Sequence, residues 1–134
     1  MRHIDRLIEE IIPPADYKHR EGFNNNLLID ALNDTEKLEV EICLIIRLKA
    51  KPDTFIIETL GYMKSYKAVD VLTEIMINTQ DSVEKLITAS SIFNITKNNS
   101  LKDIALEASY MIDDHYSKIS NQKIHFNGHV LLYG

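Results

Sequence analysis

The sequence predicts an all-α chain, a short stack of helix pairs finished by a small C-terminal β-hairpin. Three observations carry this. Apolar residues recur with the helical period along nearly the whole chain. Apolar stripes repeat at spacings of 30 and 32 residues. The last residues switch to a strand-like pattern around Asn127-Gly128. At 134 residues the chain is one domain, 1–134, large enough to bury a core without disulfides.

The first helix is written by Ile4, Leu7, Ile8 and Ile11, one stripe at i, i+3, i+4, i+7. Pro13-Pro14 ends it, because proline lacks a backbone N–H and restricts the residue before it. Residues 15–24 carry no clear period. Leu27, Leu28, Ala31 and Leu32 mark a short second helix, followed by Asn33 and Asp34 as turn and cap residues. A long helix then places Leu38, Ile42, Ile45, Ile46 and Lys49 on its inner side and stops at Pro52. Asp53 caps a helix with Phe55, Ile56, Ile57, Leu60 and Met63 apolar. Ser65 opens another, with Ala68, Val69, Leu72, Ile75 and Met76 inward.

Asp81 and Glu84 form an Asp-x-x-Glu capping box ahead of Leu86, Ala89, Ile92 and Phe93. Ser100 with Asp103 repeats it ahead of Leu101, Ile104, Ala105, Ala108, Met111 and Ile112. That makes seven helical segments. In the hairpin, 123–133, a two-residue Asn-Gly turn pairs Phe126 with His129 and Ile124 with Leu131. Its apolar face is expected to close the end of the core or to meet a partner.

Several function classes fall away. Cys43 is the one cysteine, so neither an internal disulfide nor a CxxC zinc pair can form, which fits a reducing, cytoplasmic setting. Asp5, Glu9 and Glu10 interrupt what a secretion signal would keep apolar. The longest apolar run, Ile42–Ile46, is far short of a membrane span of roughly 18 residues. With 20 Asp+Glu against 15 Lys+Arg the net charge is −5, which disfavours nucleic acid, because phosphate contacts supply most of that affinity.

The chain repeats itself with more than one possible unit. A shift of 30 carries Leu38, Ile42, Ile45 and Ile46 onto Ala68, Leu72, Ile75 and Met76, and a shift of 32 carries Ile57, Leu60 and Gly61 onto Ala89, Ile92 and Phe93. A shift of 44 also carries Leu28, Leu32, Ile42, Ile45 and Leu60 onto Leu72, Met76, Leu86, Ala89 and Ile104. Two helices per unit at this period mark a solenoid, in which each pair needs a neighbour to bury its seam. Leu60-Gly61, Ala68-Val69, Leu72, Asp81, Val83 and Ala89 resemble the HEAT-repeat pattern, best over 55–95 and more weakly over 36–54 and 98–117. Asp70 stands where that pattern usually has Pro, and Lys85 near where it has Arg. The resemblance implies a close backbone approach or a turn at Gly61 and a close helix crossing at Ala89. In size, acidity and architecture the chain is also similar to small bacterial immunity proteins of contact-dependent toxin systems, which bind and block a cognate toxin domain, frequently a nuclease.

No enzyme motif emerges. Asp113-Asp114-His115 is dense in ligating groups, but consecutive helix positions point about 100° apart, so a solvated helix end accounts for it. His125 and His129 fall on opposite faces of the expected hairpin. Cys43 sits in an apolar run, as an inert core thiol does. Ser90-Ser91 has no glycine elbow, and the four glycines form no phosphate loop. No catalytic residue, cofactor or metal is therefore expected.

What remains is a surface of acids and tyrosines on the helices that line the concave side of HEAT-like stacks. Glu58 and Tyr62, then Thr88, Ser91 and Asn94 or Ile95, then Glu107, Tyr110 and Asp114 lie off the expected buried stripes. Tyrosine buries a large area with few rotatable bonds and keeps a hydroxyl to bond, and carboxylates complement a basic partner. Glu58, Tyr62, Glu107, Tyr110 and Asp114 are the expected partner-binding residues. The expected function is a cytoplasmic immunity or inhibitor protein, monomeric alone or heterodimeric with a basic toxin domain, with no direct nucleic-acid or membrane contact. The alternatives are a HEAT-like adaptor without inhibitory action and a small helical ligand-binding protein or enzyme.

Overall fold

Seven α-helices and one 3-10 turn follow one another in the computed structural model, which describes residues 2–15, 20 and 22–117, with side chains as far as Ile112. They are α1 (His3–Ile11), α2 (Asn26–Asp30), α3 (Asp34–Ala50), α4 (Thr54–Tyr62), the 3-10 turn Tyr66–Ala68, α5 (Val69–Asn78), α6 (Ser82–Thr96) and α7 (Ser100–Ser117).

Local chemistry sets the boundaries. A capping box opens α3: Glu36 N–H donates to Asn33 Oδ1 at 2.8 Å and Asn33 N–H to Glu36 Oε1 at 3.0 Å. Asp53 caps α4, accepting from Phe55 N–H at 2.9 Å. Asp81 caps α6 through the N–H groups of Val83 and Glu84. The reciprocal half of that expected box is replaced, because Asp81 N–H donates to Thr79 Oγ1. Ahead of α7 it is Asn98 that accepts from both the N–H and the hydroxyl of Ser100, in place of the expected Ser100–Asp103 box. α4 ends in a Schellman arrangement, with Lys64 left-handed at φ 55°, Lys64 N–H on the Gly61 carbonyl and Ser65 N–H on the Leu60 carbonyl.

The packing has a centre. α6 lies against α4, α5 and α7, while α3 packs on α1, α4 and α5. At the α4–α6 crossing a Cβ on Gly61 would meet the Ser91 Cβ at 2.8 Å and its Cα at 3.0 Å, so only hydrogen fits there. Ala89 is fully buried, as a close crossing requires. α1 buries Ile4, Ile8 and Ile11, and α7 buries Leu101, Ala105, Ala108 and Ile112.

Four expectations need correction. The first is the C-terminal β-hairpin: the structure is helical, with no strand among the described residues, and 123–133 lie outside them. An Asn-Gly pair specifies a local turn, whereas a lone two-stranded hairpin buries too little apolar surface to hold itself. The second is the phase of α3. Its core side is Val40, Leu44 and Leu48, while Leu38, Ile42 and Ile46 are 45%, 43% and 62% exposed. The cause is that α3 carries bulky apolar residues on two sides, so the helical template fits two phases. With that rotation Cys43 is half-buried at the edge of the core rather than inside it. The third is α2, where Ile29 and Leu32 are buried while Leu27 and Leu28 are exposed. The fourth is Met111, on the exposed side of α7 because the buried stripe runs Leu101, Ala105, Ala108, Ile112.

Candidate protein-interaction surface

The best-defined exposed constellation lies where α2, α3 and α4 meet. Tyr62 is the last residue of α4, and its hydroxyl donates to the Asp30 carboxylate, 2.8 Å from each oxygen. Asp30 closes α2 and Asp34 opens α3 after a short turn, so both carboxylates reach the same corner as the ring. A shallow groove there is lined by Ile29, Asp30, Asp34, Leu38, Glu41 and Tyr62. Lys37 and Lys64 stand at its margin. Glu41 is fixed by the Ser65 hydroxyl, which donates to its Oε2. The hydrogen bond to Asp30, followed by partial burial and the charge of that carboxylate, holds the Tyr62 phenol above its ordinary pKa. The ring is therefore a protonated donor held in one orientation, with 39% of the residue exposed. In the adjoining 3-10 turn, Tyr66 is 69% exposed.

The other expected partner residues divide between helices. Glu58 lies one helical turn before Tyr62 on α4 and is half-buried. Glu107 and Tyr110 are exposed on α7. Asp114 belongs to the same helix, and its side chain lies outside the described residues, as do those of Asp113 and His115. His125 and His129 lie outside them altogether. α6 packs against both α4 and α7, and of its positions expected to join the two groups Thr88, Ser91 and Ile95 are buried and Asn94 is half-buried. One face running from Glu58 to Tyr110 across α6 is therefore corrected to two separate patches, because α6 is enclosed on three sides.

Two features were not read from the sequence. Arg20 and Asp53 form a bidentate pair at 2.7 and 2.9 Å, and the guanidinium also donates to the Pro13 and Pro14 carbonyls and lies 5.1 Å from the Phe55 ring centroid. Burial pushes the Asp53 carboxyl up. The bonds and charge of Arg20 and the N–H groups of Phe55 and Ile56 outweigh it, and the net pKa falls below the ordinary value. No local signal marks Arg20, which lies 33 residues from its partner. The second feature is the exposed apolar row on α3. The dense run from Leu38 to Leu48 was a sufficient signal, since a helix apolar on two sides asks for cover on both.

Comparison with protein-family models, with curated proteins and with solved structures finds no match to this chain. Among the described residues no helix is long and apolar enough to cross a membrane.

Proposed function

We propose that the chain is a protein-binding immunity or inhibitor protein that occludes a basic toxin domain, with the Tyr62–Asp30 corner at the centre of the contact. The observation that carries this reading is the oriented, half-exposed Tyr62 ring flanked by Asp30 and Asp34. An aromatic anchor already held in one rotamer loses little entropy on binding, and neighbouring carboxylates steer a basic partner. The net charge of −5 works in the same direction. Glu107 and Tyr110 on α7 form a second patch that a large partner reaches at its rim. The HEAT-like and immunity-protein resemblances supply the inhibitory part of the reading, and the Gly61–Ser91 crossing supports the former. In this reading the protein acts in the cytoplasm, as a heterodimer with its target.

The test is calorimetry against a candidate basic toxin domain. Tyr62→Ala should weaken binding by about 2 kcal/mol or more. Asp30→Lys should weaken it most at low salt, and Glu107→Lys should mainly slow association. Wild-type affinity in all three variants, each shown to be folded, would remove this surface from consideration. Binding that leaves the partner's activity intact would replace inhibition with the adaptor reading.

A further inference from the structure

α3 presents an apolar face to solvent along most of its length. Leu38, Ile42 and Ile46 project at i, i+4, i+8, opposite the core row Val40, Leu44 and Leu48, with Ile45 half-buried beside them. The main contacts of α3 are with α1, α4 and α5, and Leu38, Ile42 and Ile46 stay exposed beside them, Leu38 at the edge of the Tyr62 groove. A contiguous apolar strip of this kind marks an interface. Its charges have a direction. The N-terminal half of α3 carries Asp34, Glu36, Glu39 and Glu41 against one cation, Lys37, and the C-terminal end carries Arg47 and Lys49, followed by Lys51. Asp34, Glu39, Arg47 and Lys49 are exposed and form no ion pair with one another or with other described residues.

We infer that this face is covered by a second copy of the chain, α3 packing antiparallel on its own counterpart with Ile42 at the two-fold axis. An isologous contact centred on Ile42 brings Leu38 of each copy opposite Ile46 of the other. It brings Lys49 opposite Thr35 and beside Asp34. The acidic end of one helix thereby lies along the basic end of the other, and the two helix dipoles oppose. A parallel pairing would set acid against acid and base against base, so the charge gradient selects the antiparallel one. The row is one helix long, so the interface falls below the roughly 1,200 Å² that separates weak from stable association. The dimer is therefore concentration-dependent. The face shares Asp34 and Leu38 with the Tyr62 groove, while Ile42 and Ile46 lie beyond it, and its measurement uses the protein alone, with no toxin domain present.

The experiment is sedimentation velocity of the full chain from micromolar to near-millimolar concentration. The wild type should move from monomer toward dimer mass. Ile42→Glu puts two like charges together at the axis and should raise the dissociation constant more than about tenfold with the helical spectrum unchanged. Lys49→Glu and Asp34→Lys should each raise it roughly threefold to tenfold, through two symmetric rim pairs. Combining Asp34→Lys with Lys49→Glu restores both cross-pairs, and the constant should return to within about twofold of the wild type. That rescue occurs only if the partner is another copy in this register.

A wild type that stays monomeric overturns the proposal, as does a dimer indifferent to Ile42→Glu or a double variant no better than the singles. A photo-crosslinking residue at position 42 should capture α3 of a second copy. Capture of residues 118–134 of the same chain would overturn the proposal by naming a different cover.

Discussion

α3 and α6 are both apolar around more than one side, and their surroundings treat them differently. α6 is enclosed by α4, α5 and α7, so even its Thr88, Ser90 and Ser91 lie in the core. Thr88 satisfies its hydroxyl on the Glu84 carbonyl at 2.6 Å, while the hydroxyls of Ser90 and Ser91 find no partner among the described residues. α3 has more bulky aliphatic residues than α6, yet Ile46 is 62% exposed. Burial is thus assigned by where a helix sits in the stack, and composition follows only loosely. The small residues of α6 are the ones a close crossing needs, since Gly61 and Ser91 admit no extra carbon between them.

The sharpest way to break this comparison is within α3. Leu44→Ala should cost about 2–5 kcal/mol, as a fully buried aliphatic side chain does. Ile42→Ala, two residues away, should stay within about 0.5 kcal/mol at concentrations where the protein is monomeric. Urea midpoints that shift equally would return α3 to the phase expected from Leu38, Ile42 and Ile46. Next in size is the α6 crossing. Gly61→Ala should destabilise by about 1–3 kcal/mol, because the added methyl meets the Ser91 Cβ and backbone Cα. Adding Ser91→Gly should recover part of that loss. Two additive costs would show that the two positions do not touch.

Asp53 starts α4, the helix packed against both α3 and α6, so it tests what holds the two regions together. Asp53→Asn should cost about 1–2 kcal/mol at neutral pH through the loss of charge toward Arg20. The folded carboxyl titrates below its ordinary value of 3.8, so its contribution is present above that pH and is lost as pH falls through the folded pKa. The gap between wild type and variant should therefore close as the solution is acidified below 3.8, and a constant gap would exclude the charge as its source. The smallest effect belongs to Ser90→Ala. Removing a buried hydroxyl without a partner should leave stability within about 0.5 kcal/mol or raise it slightly. A loss well beyond that would reveal a hydrogen bond to bound water.

Much of the helical layout is legible residue by residue. Ile4, Leu7, Ile8 and Ile11 have one phase because Arg6, Glu9 and Glu10 occupy the other side of α1. Asp53 and Asp81 cap where expected, since capping involves only the next two or three N–H groups. Tyr62 and Tyr110 are as exposed as their positions off the stripes suggested. The Tyr62–Asp30 bond was not legible, because it joins residues 32 apart across two helix ends. The fate of Thr88, Ser91 and Ile95 was not legible either. Small and polar residues suit a solvated face and a tight crossing equally, and only a neighbouring helix distinguishes them.

By itself the sequence determined where helices start, where they stop and that they make up most of the chain, because Pro13, Pro52, Asn33, Asp53 and Asp81 act through backbone geometry and hydrogen bonds a few residues away. Tertiary structure alone decided which of two apolar phases α3 buries, that α6 is covered on every packed side, and that Arg20 meets Asp53 and Tyr62 meets Asp30. Those outcomes depend on burying area between elements far apart in sequence. A one-dimensional pattern can register how apolar each face is, but not which face has a neighbour.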